Sequence, residues 1–165
     1  MWESRKPPIS FKSQPKWVGS FCYLYNMKRV FLYVWQLPQN VLAIVLIGVY
    51  SLILGSPERT EYKGIRYRWF KGWKFGISLG YYVILGDFAR DRLDIINHEY
   101  GHTRQSVCLG PLYLIVIGLP SCLFKAWDRL FHTPERGWTP EKAYRWYFSL
   151  PWERWADKVG GVVRV

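Results

Sequence analysis

No charged residue occurs between Arg29 and Glu58, and inside that interval Val41 to Leu54 is an almost unbroken run of Val, Ile, Leu and Ala. About 20 apolar residues suffice to cross a bilayer as a helix, so this run reads as a membrane-inserted helix. The competing reading is a buried core helix, but a single domain of 165 residues rarely hides such a segment completely. Upstream, 17–35 mixes aromatic, basic and apolar residues in the manner of an interfacial helix, which Pro38 should end or kink. A second uncharged interval runs from Gln105 to Phe124. There Leu109-Gly110-Pro111 and Gly118-Leu119-Pro120 predict a broken or re-entrant helix.

Composition supports a membrane setting. With 10 Trp, 12 Tyr and 9 Phe, 19% of the chain is aromatic, and such rings suit the headgroup layer. The net charge of +11 calls for an anionic partner. Arg5, Lys6, Lys12, Lys16, Lys28 and Arg29 flank the first apolar run instead of lining one face, which favours a lipid bilayer over nucleic acid. The cysteines, Cys22, Cys108 and Cys122, lack metal-type spacing and are expected to be buried, reduced thiols.

The expected architecture is one domain, 1–165, of the α+β class: a mostly helical integral membrane protein with a small β-hairpin. Residues 1–16, broken by Pro7, Pro8 and Pro15, form a loosely ordered basic arm. Interfacial and transmembrane helices occupy 17–57, and 58–165 carries the chemistry around the broken segment 107–124. Alternation in Ile65 to Phe70 and in Phe75 to Leu85 predicts two strands joined near Gly72. Helices are expected from about Asp91 to Cys108, from Lys125 to Arg136, from the cap Thr139 to Phe148, and onward from Pro151.

The chemistry centres on His98-Glu99-Tyr100-Gly101-His102. Two of the chain's 3 histidines stand here four residues apart, which on a helix places both imidazoles on one face, close enough to hold one tetrahedral metal ion. Glu99 would lie beside that ion, where a carboxylate can take a proton from water as it attacks a carbonyl. A catalytic zinc needs a third protein ligand, and Glu153 in Pro151-Trp152-Glu153-Arg154-Trp155-Ala156-Asp157 can supply a carboxylate oxygen. Asp157, one turn on, can accept a hydrogen bond from the far nitrogen of His98 or His102. An exposed acidic pair would explain the same spacing, and Asp87, Asp91 or His132 remain open as the third ligand.

His-Glu-x-x-His followed by Glu-x-x-x-Asp resembles the gluzincin peptidases, and in size and apolar segments the chain is most similar to a minimal membrane-embedded member of the CAAX prenyl protease and bacterial heat-shock membrane protease kind. The resemblance implies a zincin-like metal helix, a zinc ion on His98, His102 and Glu153, Glu99 as general base and Asp157 behind the ligands. It implies hydrolysis of peptide or protein substrates at or within a membrane, here a bacterial inner (cytoplasmic) one. It further implies that an edge strand over 76–82, with Ser78, Leu79 and Gly80, pairs with extended substrate. A His, Tyr or Arg should bind the oxyanion, with Tyr144, Arg145, Tyr147 and His132 as unranked candidates. Two readings compete: a membrane-anchored metal-binding or interaction protein with a vestigial site, and a peripheral basic module on anionic lipid or nucleic acid.

Overall fold

The computed structural model describes residues 27–164. The basic arm, most of the expected interfacial helix and Cys22 lie outside the described residues. Residues 27–31 are helical and belong to a first unit; the second begins at Leu32. Its elements are α1 (Leu37–Leu54), β1 (Glu58–Tyr62), β2 (Ile65–Phe70), β3 (Gly76–Leu79), β4 (Tyr82–Gly86), α2 (Leu93–Leu109), α3 (Leu119–Phe131), α4 (Pro140–Ser149) and α5 (Pro151–Gly160). The class is mixed α+β with a small four-stranded sheet ordered β1-β2-β4-β3.

The sheet corrects the expected hairpin. β2 does not fold back on the next strand through Gly72; it pairs in parallel with β4. The run from Phe75 to Leu85 is itself a hairpin, β3 antiparallel to β4, turning at Gly80 and Tyr81 with Gly80 at φ +60°. The physical reason is local: a two-residue turn with left-handed backbone closes a hairpin at almost no loop cost. Glu58–Tyr62, unforeseen, pairs antiparallel with β2 across Lys63-Gly64, both at positive φ. β3 is an edge strand, as 76–82 was expected to be, but Tyr82 belongs to the interior strand β4.

The two faces of the sheet bury different helices. Ile65, Tyr67, Trp69, Val83 and Leu85 pack with Ile96 of α2. On the opposite face Leu79 and Tyr82 pack with Ala43 of α1 and with Tyr113 and Ile117. Only one stripe of α1 is so used: Gln36 before its first turn, Gln39, Asn40 and Ala43 are buried, whereas Val41, Leu42, Ile44, Val45, Val49, Leu52 and Ile53 are exposed. Asn40 fixes this packing, its Oδ1 accepting from the Tyr81 backbone at 2.9 Å and its Nδ2 donating to the Tyr33 carbonyl at 3.0 Å.

α1 is long and apolar enough to cross a membrane. The second uncharged run is broken where expected. α2 ends at Gly110, and Leu93–Leu112 meets Leu114–Phe131 at a bend of 118°. Leu112 at the end of the first arm and Ile115, Val116, Leu119, Leu123 and Trp127 along the second are exposed. α3 therefore begins earlier than the expected Lys125 and stops at Phe131, with a separate 3-10 turn at Pro134–Arg136. Cys108 and Cys122 are free as expected, but exposed rather than buried, because these apolar segments turn much of their surface outward. Thr139 caps α4, accepting from the Lys142 backbone, and Pro151 occupies the first turn of α5.

Candidate metal centre

α2 places His98 and His102 one turn apart, and α5 crosses beside them. The crossing is close because Gly101 has no side chain: a Cβ there would lie 2.0 Å from the Ala156 carbonyl oxygen. Gly160 meets α2 in the same way, its Cβ position being 2.1 Å from the Asn97 carbonyl. Small residues at both ends of the contact let the two backbones approach, so that short side chains can meet between them.

What meets there is a cluster of three. His98 Nε2 and His102 Nε2 are 3.1 Å apart. Glu153 Oε2 lies 3.1 Å from the first and 3.3 Å from the second. All three residues are buried, and among the described residues they form the one group of at least three such ligand types positioned to hold a metal ion.

The surrounding hydrogen bonds decide whether this group suits a cation. His98 Nδ1 lies 2.7 Å from Asp157 Oδ1 and His102 Nδ1 lies 2.7 Å from Gln105 Oε1. Both partners are oxygen acceptors in these pairings, so the Nδ1 positions carry the protons and the Nε2 lone pairs face inward. Glu153 Oε1 accepts from the Ser121 hydroxyl at 2.7 Å, leaving Oε2 to the cluster. Burial alone would raise the Glu153 carboxyl, but the adjacent His102 and His98 rings outweigh it and hold the group below its ordinary value. Two lone pairs and an anionic oxygen converging in a buried site fit a metal ion.

Behind the ligands stands a brace. Arg164 Nε and Nη2 donate to Asp157 Oδ2 and Oδ1 at 2.6 and 2.8 Å. Its guanidinium also lies 3.4 Å over the Phe148 ring, and Phe148 meets the His98 ring edge-on at 5.2 Å. Burial would raise the Asp157 carboxyl; the hydrogen bonds from His98 and Arg164 bring it below its ordinary value. Gln105 is fixed in turn, donating to the Trp152 carbonyl at 2.7 Å.

Glu99 projects towards the sheet. Ser78 donates to its Oε2 at 2.6 Å, and a Cβ on Gly76 would sit 2.1 Å from its Oε1. The carboxylate thus rests against edge strand β3 in space that only glycine leaves free. In an antiparallel pair closed by a two-residue turn, alternate residues bond inward. Leu79 and Ile77 bond towards β4, and the backbone of Gly76 and Ser78 faces the free edge, where Ser78 O accepts from Tyr113 at 2.9 Å. This corrects two of the expected edge contacts: Leu79 is turned to β4 and buried, and Gly80 sits in the turn against Asn40.

The remaining expected residues separate clearly. Tyr147 lies beside Glu153; burial first, then the Glu153 carboxylate, push its hydroxyl well above the ordinary value, so it remains a proton donor. Tyr144 accepts from Arg164, on the far side of Asp157. His132 is held away from the cluster, 3.0 Å from Asp128 and stacked 3.6 Å on Trp138. Asp87 pairs with Arg90 at 3.1 Å, and Arg145 and Asp91 are exposed, so neither Asp87, Asp91 nor His132 joins the group. Gly76, Gly101, Gln105, Ser121 and Arg164 escaped the sequence reading. Gln105, three residues after His102 on the same helix, had a usable spacing; the others gain their roles from distant contacts.

Comparison of the chain with protein-family models, with curated proteins and with solved structures gives no match, so the functional reading rests on the residues themselves.

Proposed function

We propose that this chain is a membrane-inserted zinc metallopeptidase of the gluzincin type. One observation carries the reading: two imidazole nitrogens and a carboxylate oxygen converge within 3.3 Å of one another, with Glu99, the residue directly after the first histidine, turned to the edge strand β3. His98, His102 and Glu153 would hold the ion, a His2Glu donor set that suits zinc. Zinc bound there supplies a Lewis acid for a carbonyl oxygen and lowers the pKa of water.

The chain's own residues do the rest. An extended peptide adds to the edge of β3 at Gly76, since the Ser78 carbonyl is already taken by the Tyr113 hydroxyl, and its scissile carbonyl then comes near Glu99. Glu99 takes a proton from the attacking water as the oxygen bonds to the carbonyl carbon. It then gives that proton to the amine as the C–N bond breaks. Ser78 holds Oε2 of Glu99 for this transfer. Tyr147, a half-buried neutral donor beside Glu153, would receive the negative oxygen that develops on the carbonyl. The exposed apolar stripe of α1, with Leu52 89% exposed, and that of Leu112 to Trp127 support burial in lipid. A bacterial cytoplasmic membrane is the setting proposed.

The test is Glu99→Gln in the full-length protein, assayed on unstructured peptides in detergent. Zinc should stay bound while hydrolysis falls by about 100-fold or more. Unchanged hydrolysis would remove Glu99 from the chemistry.

A further inference from the structure

On the sheet face opposite the metal group, the strand register brings three arginines together. Arg59 of β1 stands directly across from Arg68 of β2, and Arg66 lies two residues before Arg68 on the same face. Like charges directly opposite on neighbouring strands destabilise a sheet. Among the described residues none of the three is seen in an ion pair, although Glu61 lies across from Arg66. Arg66 and Arg68 lean over one ring, with guanidinium carbons 5.5 and 5.7 Å from the Tyr82 centroid. Arg66 also donates to the Tyr82 hydroxyl at 2.9 Å, and Arg68 to the Tyr67 carbonyl at 2.9 Å, and the other guanidinium donors of both have no hydrogen-bond partner among the described residues. The cost is visible at Arg68, whose proton affinity is lowered first by burial and next by Arg59.

Tyr82 ties this cluster to the apolar surface. Its ring packs with Ala43 of α1, so the arginines flank a helix whose other face is uncovered Val, Leu and Ile. Guanidiniums on the sheet face that packs against an apolar, largely uncovered helix match one kind of partner: an acyl chain lies along the helix and a phosphate supplies the missing negative charge. We propose that Arg59, Arg66 and Arg68 form a headgroup site for an anionic phospholipid whose chains lie against α1. The proposal rests on the membrane reading of α1 given above, and it is independent of the metal group.

The experiment uses full-length protein in a neutral detergent, titrated with short-chain phosphatidylglycerol and, separately, with short-chain phosphatidylcholine. Saturable binding of the anionic lipid alone is expected. Loss of one surface cation weakens association with anionic lipid by about five-fold, so Arg59→Gln/Arg66→Gln/Arg68→Gln should weaken it on the order of 100-fold. Arg59→Gln alone, on an exposed strand, should cost about five-fold and serves if the triple variant does not fold. As a charge-matched control, Arg145→Gln/Arg154→Gln/Lys158→Gln removes three cations lining the cleft beside Asp157 and should leave binding intact. Equal binding of both lipids, an unaffected sheet variant, or an equal loss in the control would each overturn the site. Reconstitution into phosphatidylcholine vesicles separates the premise: failure to float with them would sink the membrane reading, while the detergent titration still reports on the arginines.

Discussion

Gly101 and Ala156 touch backbone to backbone, and that contact is what brings Glu153 and Asp157 to the two histidines. The middle of the metal motif is thus as constrained as its ends. Gly101→Val would push α5 away from α2, because a Cβ 2.0 Å from a carbonyl oxygen forces backbone movement. We predict a destabilisation of about 1 to 3 kcal/mol, the usual cost of overpacking. Zinc affinity should fall with it, read by thermal unfolding and by competition with a chelator.

Glu153→Gln keeps the shape of the third ligand and removes its charge. Ser121 can still bond the amide oxygen, so the fold should persist. Zinc affinity should drop by 100-fold or more, since two neutral imidazoles alone hold zinc weakly. Isothermal titration of metal-free protein measures this.

Asp157→Asn and Arg164→Met attack the same brace from opposite ends. Residues behind a metal ligand are each worth about 10 to 100-fold in metal affinity, and we expect both variants in that range. Their double variant should lose little more than either alone, because the arginine acts through the aspartate. The pH dependence follows from sign. The folded Asp157 carboxyl lies below its ordinary 3.8, so its stabilising contribution is complete well above that pH and fades as pH falls through the depressed value. Metal-free wild type and Asp157→Asn should therefore differ in melting temperature at neutral pH, and their difference should shrink in acid.

Gly76→Ala and Ser78→Ala test the seat of Glu99. The alanine methyl would occupy the position 2.1 Å from Glu99 Oε1, displacing the carboxylate; Ser78→Ala removes its 2.6 Å hydrogen bond. Peptide hydrolysis should fall about 10 to 100-fold in each, with zinc content unchanged. Loss of zinc in either variant would mean that β3 supports the metal group and not the base.

α1 predicts the manner of release. Its exposed aliphatic face should keep the protein with membranes through high salt and alkaline carbonate, and only detergent should extract it. Release by salt alone would reduce the attachment to surface charge.

The histidine motif was legible because four-residue spacing is itself a statement about geometry, and Glu153 because zinc chemistry requires another donor. The helix boundaries after Thr139 and Pro151 followed from capping. Gly101 was visible, yet its necessity depends on α5, over 50 residues away in the chain. β1 escaped notice because Glu-Arg-Thr-Glu-Tyr has no apolar alternation: every residue in it is exposed. The parallel pairing of β2 with β4 was hidden for a related reason, since adjacent alternating runs favour the hairpin reading and only the turn at Gly80 overturns it. Ser121 acts through one long-range hydrogen bond to Glu153, and Arg164 through a pair of bonds to Asp157 made after the chain has left α5, neither of which any periodicity announces.

X-ray absorption at the zinc edge, on full-length protein purified without chelator, tests the central claim most directly. One zinc per chain is expected, with two imidazole nitrogens and carboxylate oxygen in its shell, at about 2.0 to 2.2 Å. In Glu153→Gln that oxygen contribution should change. A shell containing cysteine sulfur, or no zinc in stoichiometric amount, would contradict it.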